Sequence, residues 1–235
     1  MDIDREGPRR QFVSFSFYRV LPEWRRLPLE EREVHRRELA ETIHKWNAPD
    51  TMKVLTYSLV GTRGDTDMLL WRICYSVSCL QEMSSDLLRT HLGGYLETPY
   101  SYLGMTRRSQ YSMADTQSSR EKHALVHPGG GKYLFVYPMS RTRAWYVLSF
   151  EDRQRMIAEV VHTGQEFPDM HLHVVYSFGL DDQDFVLALE TDHPDIYVER
   201  VMRLRETESS LHVLRDTPTF TCVQLSPEEM LERIG

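Results

Sequence analysis

Apolar and polar positions along this chain predict the same series of elements twice. The run Phe12–Tyr18 predicts a strand, and Leu29–Trp46 a helix with Val34, Leu39 and Ile43 at helical spacing, broken by Asn47–Ala48–Pro49–Asp50. Val54–Val60 and Met68–Ser76 predict a hairpin across the Gly61–Asp65 turn. Ser84–Ser85–Asp86 then starts a second helix that ends near Gly93–Gly94, and Tyr100–Met105 reads as a fourth strand. The later pass opens with Tyr133–Tyr137, a strand closed by Pro138, because proline cannot donate to a ladder. A basic turn follows with Arg141 and Arg143. Ser149 then caps a helix over 150–163, with Glu151 and Asp152 at its positive dipole end and Gly164 where it stops. Leu172–Phe178, Phe185–Glu190, a helix over 194–209 and Phe220–Leu225 complete the series, with Gly179–Leu180–Asp181–Asp182 as the hairpin turn.

A displacement of 121 positions (12 to 133) places Phe12 on Tyr133, Trp24 on Trp145 and Leu27 on Leu148. It also places Glu30–Glu31–Arg32 on Glu151–Asp152–Arg153. Leu55–Thr56–Tyr57–Ser58–Leu59 resembles Val174–Val175–Tyr176–Ser177–Phe178, and Glu97–Thr98–Pro99 resembles Asp216–Thr217–Pro218. Strand, helix, strand, strand, helix, strand is the split ferredoxin-like unit. The fold class is therefore α+β: tandem ferredoxin-like repeats of the dimeric α/β-barrel type, antiparallel sheets with outer helices. The units are 1–105 and 132–235, joined by a polar connector over 106–131. Sheet faces left over between the units can enclose an apolar pocket.

The net charge of −7 argues against general affinity for nucleic acid or an anionic membrane, both of which need clustered positive charge. No apolar run approaches the roughly 18 residues that span a bilayer. The start, MDIDREGPRRQ, has no signal-peptide core. Cys74, Cys79 and Cys222 form no metal-site spacing and suit a reduced compartment, so a cytoplasmic location is expected.

Several groupings are read as structural. His171 and His173 share a strand face and could bind a metal with Asp169, but without a clear third ligand they read as surface residues. Asp181, Asp182 and Asp184 read as a solvated turn, and Gly129–Gly130–Gly131 as a flexible hinge. Arg200, Arg203 and Arg205 with Glu199, Glu206 and Glu208 suggest ion pairs on an exposed face. In the connector, Arg107, Arg108 and Arg120 either belong to a solvated linker or meet an acidic ligand.

The run Tyr137–Pro138–Met139–Ser140, then Trp145–Tyr146, Phe150–Glu151–Asp152–Arg153 and Gly179–Leu180–Asp181–Asp182 resemble the chlorite dismutase family, and within it the coproheme decarboxylases. The resemblance implies haem or coproheme bound in the second unit of a homopentamer, with peroxide as oxidant. It makes Tyr137 the redox residue, a phenol able to pass an electron and a proton together. The plain alternative for Tyr137 is a core aromatic at a strand end. Arg141 falls where the family tends to place a base near a propionate, the alternative being a solvated loop arginine, with Met139 and Ser140 lining the same segment. The family's proximal iron ligand is a histidine, and counting from Trp145 and Arg153 puts Val160 there. His162, two residues on, is rotated by about 200° on a helix and can substitute only if the helix shifts. Met156, Ile157, Val160 and Val161 then read as an ordinary packed stripe. Leu172 stands where chlorite dismutation uses an arginine, so chlorite is rejected as substrate. Two functions follow: a coproheme decarboxylase-like enzyme, or a haem-free member. The latter would hold another apolar small molecule or join a related, histidine-bearing subunit in a mixed ring.

Overall fold

The aromatic run that opens each half becomes an inner strand of a four-stranded antiparallel sheet in the computed structural model, which describes residues 9–111 and 125–235. The first half comprises β1 (Phe12–Val20), α1 (Leu29–Trp46), β2 (Met52–Ser58), β3 (Met68–Cys74), α2 (Val77–Arg89) and β4 (Leu96–Met105). The second comprises β5 (Tyr133–Arg141), a short α3 (Arg143–Val147), α4 (Phe150–Gln165), β6 (His171–Tyr176), β7 (Phe185–Thr191), α5 (Pro194–Arg205), β8 (Val213–Arg215), β9 (Phe220–Gln224) and α6 (Pro227–Arg233). Strand neighbours run β4-β1-β3-β2 in one half and β9-β5-β7-β6 in the other, which is the same order. Pairing of β2 with β9 and of β4 with β6 joins the halves. Of the nine strands, β8 hangs on the end of β5 and the remaining eight close a barrel, so the expected α+β tandem repeat holds. Among the described residues, closure leaves no long sheet edge open to another chain.

Period-two alternation decides what fills the barrel. Val13, Phe15 and Phe17 of β1 point inward, with Leu69, Trp71 and Ile73 of β3 and Leu134 and Val136 of β5. Phe15 stacks on Trp71 at 5.3 Å and Phe17 on Phe220 at 4.0 Å. The space expected to enclose a pocket between sheet faces is thus a packed aromatic core. Large side chains at successive inward positions fill it from both halves.

The repeat extends to hydrogen bonds. Asp67 accepts from Val20 N–H at 2.7 Å and from Arg25 at 3.0 Å. Asp184 accepts from Arg141 N–H at 2.7 Å and from the Tyr146 hydroxyl at 2.8 Å, both donors lying 121 positions on. Asp184 is therefore an anchor rather than a solvated turn residue. Asp181 likewise accepts from Leu103 N–H at 2.8 Å. The match of Leu55–Leu59 with Val174–Phe178 is one residue out. Leu59 N–H donates to Asp67 O as Ser177 N–H does to Asp184 O, a displacement of 118 (59 to 177). A one-residue slip exchanges faces, so Tyr57 points into the barrel while Tyr176 points out.

Some boundaries differ from those expected. Pro138 lies inside β5 and does not close it. Asp184 N–H donates to Met139 O, so Pro138 turns its nitrogen to the opposite side, where the partner changes from β9 at Val136 to β8 at Ser140. No ladder bond is lost there. Helix α2 starts at Val77, and Ser84 sits in its middle with its hydroxyl bonded back to Leu80 O at 2.8 Å. Helix α5 stops at Arg205, ahead of a 3-10 turn over Glu208–His212. The glycine run is no hinge: a Cβ on Gly131 would meet the Thr191 backbone at 2.5 Å, and Gly129 N–H donates to buried Glu190 at 2.9 Å. Strand β8 and helix α6 are additions. The capping box of Ser226 and Glu229 that opens α6 is a signal the sequence carried. Of the expected connector 106–131, residues 112–124, Arg120 among them, lie outside the described residues.

Candidate functional site

The two halves share a topology but not a helix-to-sheet layer. On the first, Leu39 and Ile43 of α1 and Leu80, Met83 and Leu87 of α2 are buried against the outer sheet face, sealed by Met230 and Leu231 of α6 and by Ile234 just after it. On the second, the apolar cluster among the described residues is smaller: Phe135, Met170 and Leu189 are buried, with Tyr133, Phe167, Ile196 and Tyr197 half-buried against them. Helices α4 and α5 pack on each other, and neither lies as closely on a strand as α1 does on β2 or α2 on β3. On the outer face of β6, Leu172 and Val174 remain 42% and 37% exposed. Phe178, just beyond β6, is exposed as well. This layer is open along an apolar wall.

Helix α4 forms one side. Met156 and Thr163 are buried, and Val160, four residues after the first and three before the second, shares their face and is half-buried. The packed stripe expected on α4 is incomplete, since Ile157 is only half-buried and Val161 is exposed. Among the described residues, no facing side chains cover them. His162 is exposed, as its rotation from Val160 requires.

Strand β5 and helix α5 form the other side. Tyr137 and Met139 follow Phe135 on the outer face of β5; Met139 is buried and Tyr137 half-buried. Burial pushes the Tyr137 phenol up to about 12, against the pull of the positive charge on Arg200. Tyr197 of α5 stacks on Phe135 at 3.7 Å, and burial raises its phenol too. Ser140 pairs with Arg215 of β8 and is half-buried. Arg141 is no solvated loop residue. Its guanidinium lies on the Trp145 ring at 4.3 Å and donates to Ser209 O at 2.7 Å, leaving other donors free to meet an acid. The structure therefore brings Tyr137, Met139, Val160 and Leu172 to the walls of one layer and sets Arg141 and Ser140 at the end of β5. His162 stays outside.

Tyr102 and Tyr137 are held at about 12 by burial, above the ordinary value of 10.0. A raised phenol adds stability below the unfolded pKa and loses it as pH rises through the folded one. Unfolding is thus expected between about pH 10 and 12. Absorbance at 295 nm and far-UV circular dichroism should change together there; early, gradual ionisation of every tyrosine would contradict this burial.

Sequence reasoning missed Arg200. It is 5% exposed on α5 and donates to Gly164 O at 3.4 Å, apart from the ion pairs expected of its helix. Of those pairs Arg203 with Glu206 forms, at 3.1 Å, whereas Glu208 pairs with Arg155 of α4 at 2.6 Å and Arg205 with Asp216 at 3.5 Å. The available signal was spacing, since Arg200 follows Ile196 by four and Tyr197 by three and so shares their inward face. His173 binds buried Glu190 at 2.8 Å inside the barrel, and no metal-ligand cluster occurs among the described residues. No helix among them is long and apolar enough to cross a membrane.

A closed antiparallel barrel of two ferredoxin-like units, with an open layer on the second, defines the dimeric α/β-barrel class. The model of the chlorite dismutase family matches residues 32–225, and the chain belongs to that family. The chain is 28% identical over 236 residues to the coproheme decarboxylase of Mycolicibacterium smegmatis, covering 100% of this chain and 98% of the relative. Among solved structures it resembles the chlorite dismutase of Candidatus Nitrospira defluvii in complex with imidazole, with a TM-score of 0.85, 22% identity, and 95% and 94% of the two chains covered. It also resembles a haem-binding protein from Thermus thermophilus, with a TM-score of 0.86, 23% identity, and 96% and 95% covered.

The family's cofactor is a flat apolar ring that carries acid side chains around iron. The apolar wall and the buried arginines suit the ring and its acids. At the position where the resemblance implies an iron ligand, Val160 holds no lone pair, and His162 is exposed on another face of α4.

Proposed function

We propose that this protein handles a tetrapyrrole of the haem or coproheme type in the open layer of its second unit. One observation carries the reading. Two copies of one fold differ in that the first seals its helices on the sheet, whereas the second leaves Leu172 and Val174 uncovered beside half-buried Val160. An apolar wall left open where its twin is packed is a place for a ligand. Its nature is supported by the coproheme decarboxylase relative and by the arginines and phenols at the layer. Tyr137 is the residue for peroxide-dependent decarboxylation, the reaction the kinship implies. It keeps its proton at neutral pH, as a phenol that must give up proton and electron together requires. Chlorite chemistry is not proposed, because Leu172 supplies no cation.

Val160 favours a second reading: a haem-free member that binds another apolar small molecule, or joins a histidine-bearing relative in a mixed ring.

The test is titration of the purified protein with iron coproporphyrin and with haem, following the Soret band. Saturable one-to-one binding is expected. With peroxide added, Tyr137→Phe should keep the affinity within about threefold, under 1 kcal/mol, while losing any decarboxylated product. If neither tetrapyrrole binds below tens of micromolar, about −6 kcal/mol, the second reading replaces the first.

A further inference from the structure

Three arginines are buried among the described residues: Arg72, Arg141 and Arg200. Removing a guanidinium from water is costly unless its donors are met. Arg72, in the sealed layer, donates to Ser16 at 2.7 Å, Ser84 at 2.8 Å, Ser14 at 3.2 Å and Leu80 O at 3.3 Å. Arg141 has Ser209 O and the Trp145 face. Arg200 has one hydrogen bond, a donation to Gly164 O at 3.4 Å, and its Nε, like that of Arg72, has no partner. No carboxylate among the described residues lies within 4.0 Å of it. Asp216, an acid felt by the phenols of Tyr137 and Tyr197, is held by Arg205 at 3.5 Å.

The Arg200 guanidinium lies against the end of α4. Gly164 stands where a Cβ would come within 3.4 Å of the Arg200 Nη2, so the helix backbone admits the guanidinium closely. Gly164 lies one turn of α4 beyond Val160, which puts the cation on the helix face where the family's iron ligand would stand. A guanidinium stays charged at any working pH and offers no lone pair to a metal; it offers forked donors to a carboxylate. The missing histidine of α4 and the underused cation that reaches Gly164 from α5 lie one helical turn apart.

We propose that Arg200 is an anion-binding residue that pairs with a carboxylate of the flat apolar molecule taken into the open layer, so that recognition runs through the ligand's acid and needs no metal. This rests on the reading of the layer as a ligand site and specifies the ligand as an apolar organic acid.

The test uses two fluorescent probes of one shape and different charge: 1-anilinonaphthalene-8-sulfonate and neutral N-phenyl-1-naphthylamine. The native protein should bind the sulfonate about tenfold more tightly than the neutral probe, the difference a charge-assisted hydrogen-bond pair makes. Arg200→Gln should abolish that preference while leaving the neutral probe's affinity and the circular dichroism unchanged, and Arg200→Lys should keep part of it. Metal-free coproporphyrin should bind within about threefold of its iron form, and Arg200→Gln should weaken both about tenfold. Sulfonate binding that depends on Arg200, with neither porphyrin bound, would keep the anion site and remove the tetrapyrrole reading. Porphyrin binding indifferent to Arg200→Gln would do the reverse. A sulfonate preference that survives Arg200→Gln, or no Arg200-dependent sulfonate binding at all, overturns the proposal.

Discussion

Val160→His is expected to raise the affinity for iron coproporphyrin on the order of tenfold, about 1.4 kcal/mol, and to give a shifted, sharpened Soret band that the native chain lacks. The argument is geometric. Val160 shares the inward face of α4 with buried Met156 and Thr163, so a side chain placed there enters the open layer. An imidazole offers a lone pair where valine offers none, and the half-buried site keeps competing water sparse. The helix should tolerate it, since histidine and valine have similar helix propensities. Metal-free coproporphyrin is the control, because its affinity should not rise. His162→Ala should change nothing in the native protein, as His162 is exposed on the far side. A native Soret band of histidine-ligated type that disappears with His162→Ala would show that the end of α4 turns when ligand enters, and the placement of Val160 as the inward residue would be wrong.

Trp71→Ala is expected to cost about 3–5 kcal/mol of stability, the range for truncating a buried aromatic. Trp71 is fully buried at the centre of the barrel, stacked on Phe15 at 5.3 Å and edge-on to His173 at 5.4 Å, so it touches side chains from both halves. Its indole Nε1 has no hydrogen-bond partner, so Trp71→Phe should cost clearly less than Trp71→Ala: ring volume is lost and no bond. Because the halves share this interior, urea unfolding should be one transition, coincident by fluorescence and circular dichroism. Two separated transitions, or a Trp71→Ala variant as stable as the parent, would show that the halves are independently folded and the barrel interior loosely held.

The repeat was legible because it is written in local signals. Trp24 and Trp145 both close a turn after a strand, and both are buried. The acids after Pro28 and Ser149 both lie in a helix first turn. Where the match rested on a short motif it slipped: the Tyr-Ser pairs at 57 and 176 look equivalent in sequence, yet pairing register places them on opposite faces. Pro138 misled for a similar reason. Proline ends a strand only where its missing N–H is needed, and at β5 the partner strand changes at that point.

By itself, the sequence determined the order of elements, the doubling, the family, and the absence of a histidine at position 160. All of these depend on residue identity and spacing along the chain. Tertiary structure decided which faces are covered. Closure of the barrel filled its interior and moved the open space to the outside of the second unit, because a layer's fit depends on side chains brought from distant segments. It also turned Arg200 inward, apart from the ion pairs its neighbours make, since a helix face is polar or buried according to what packs on it.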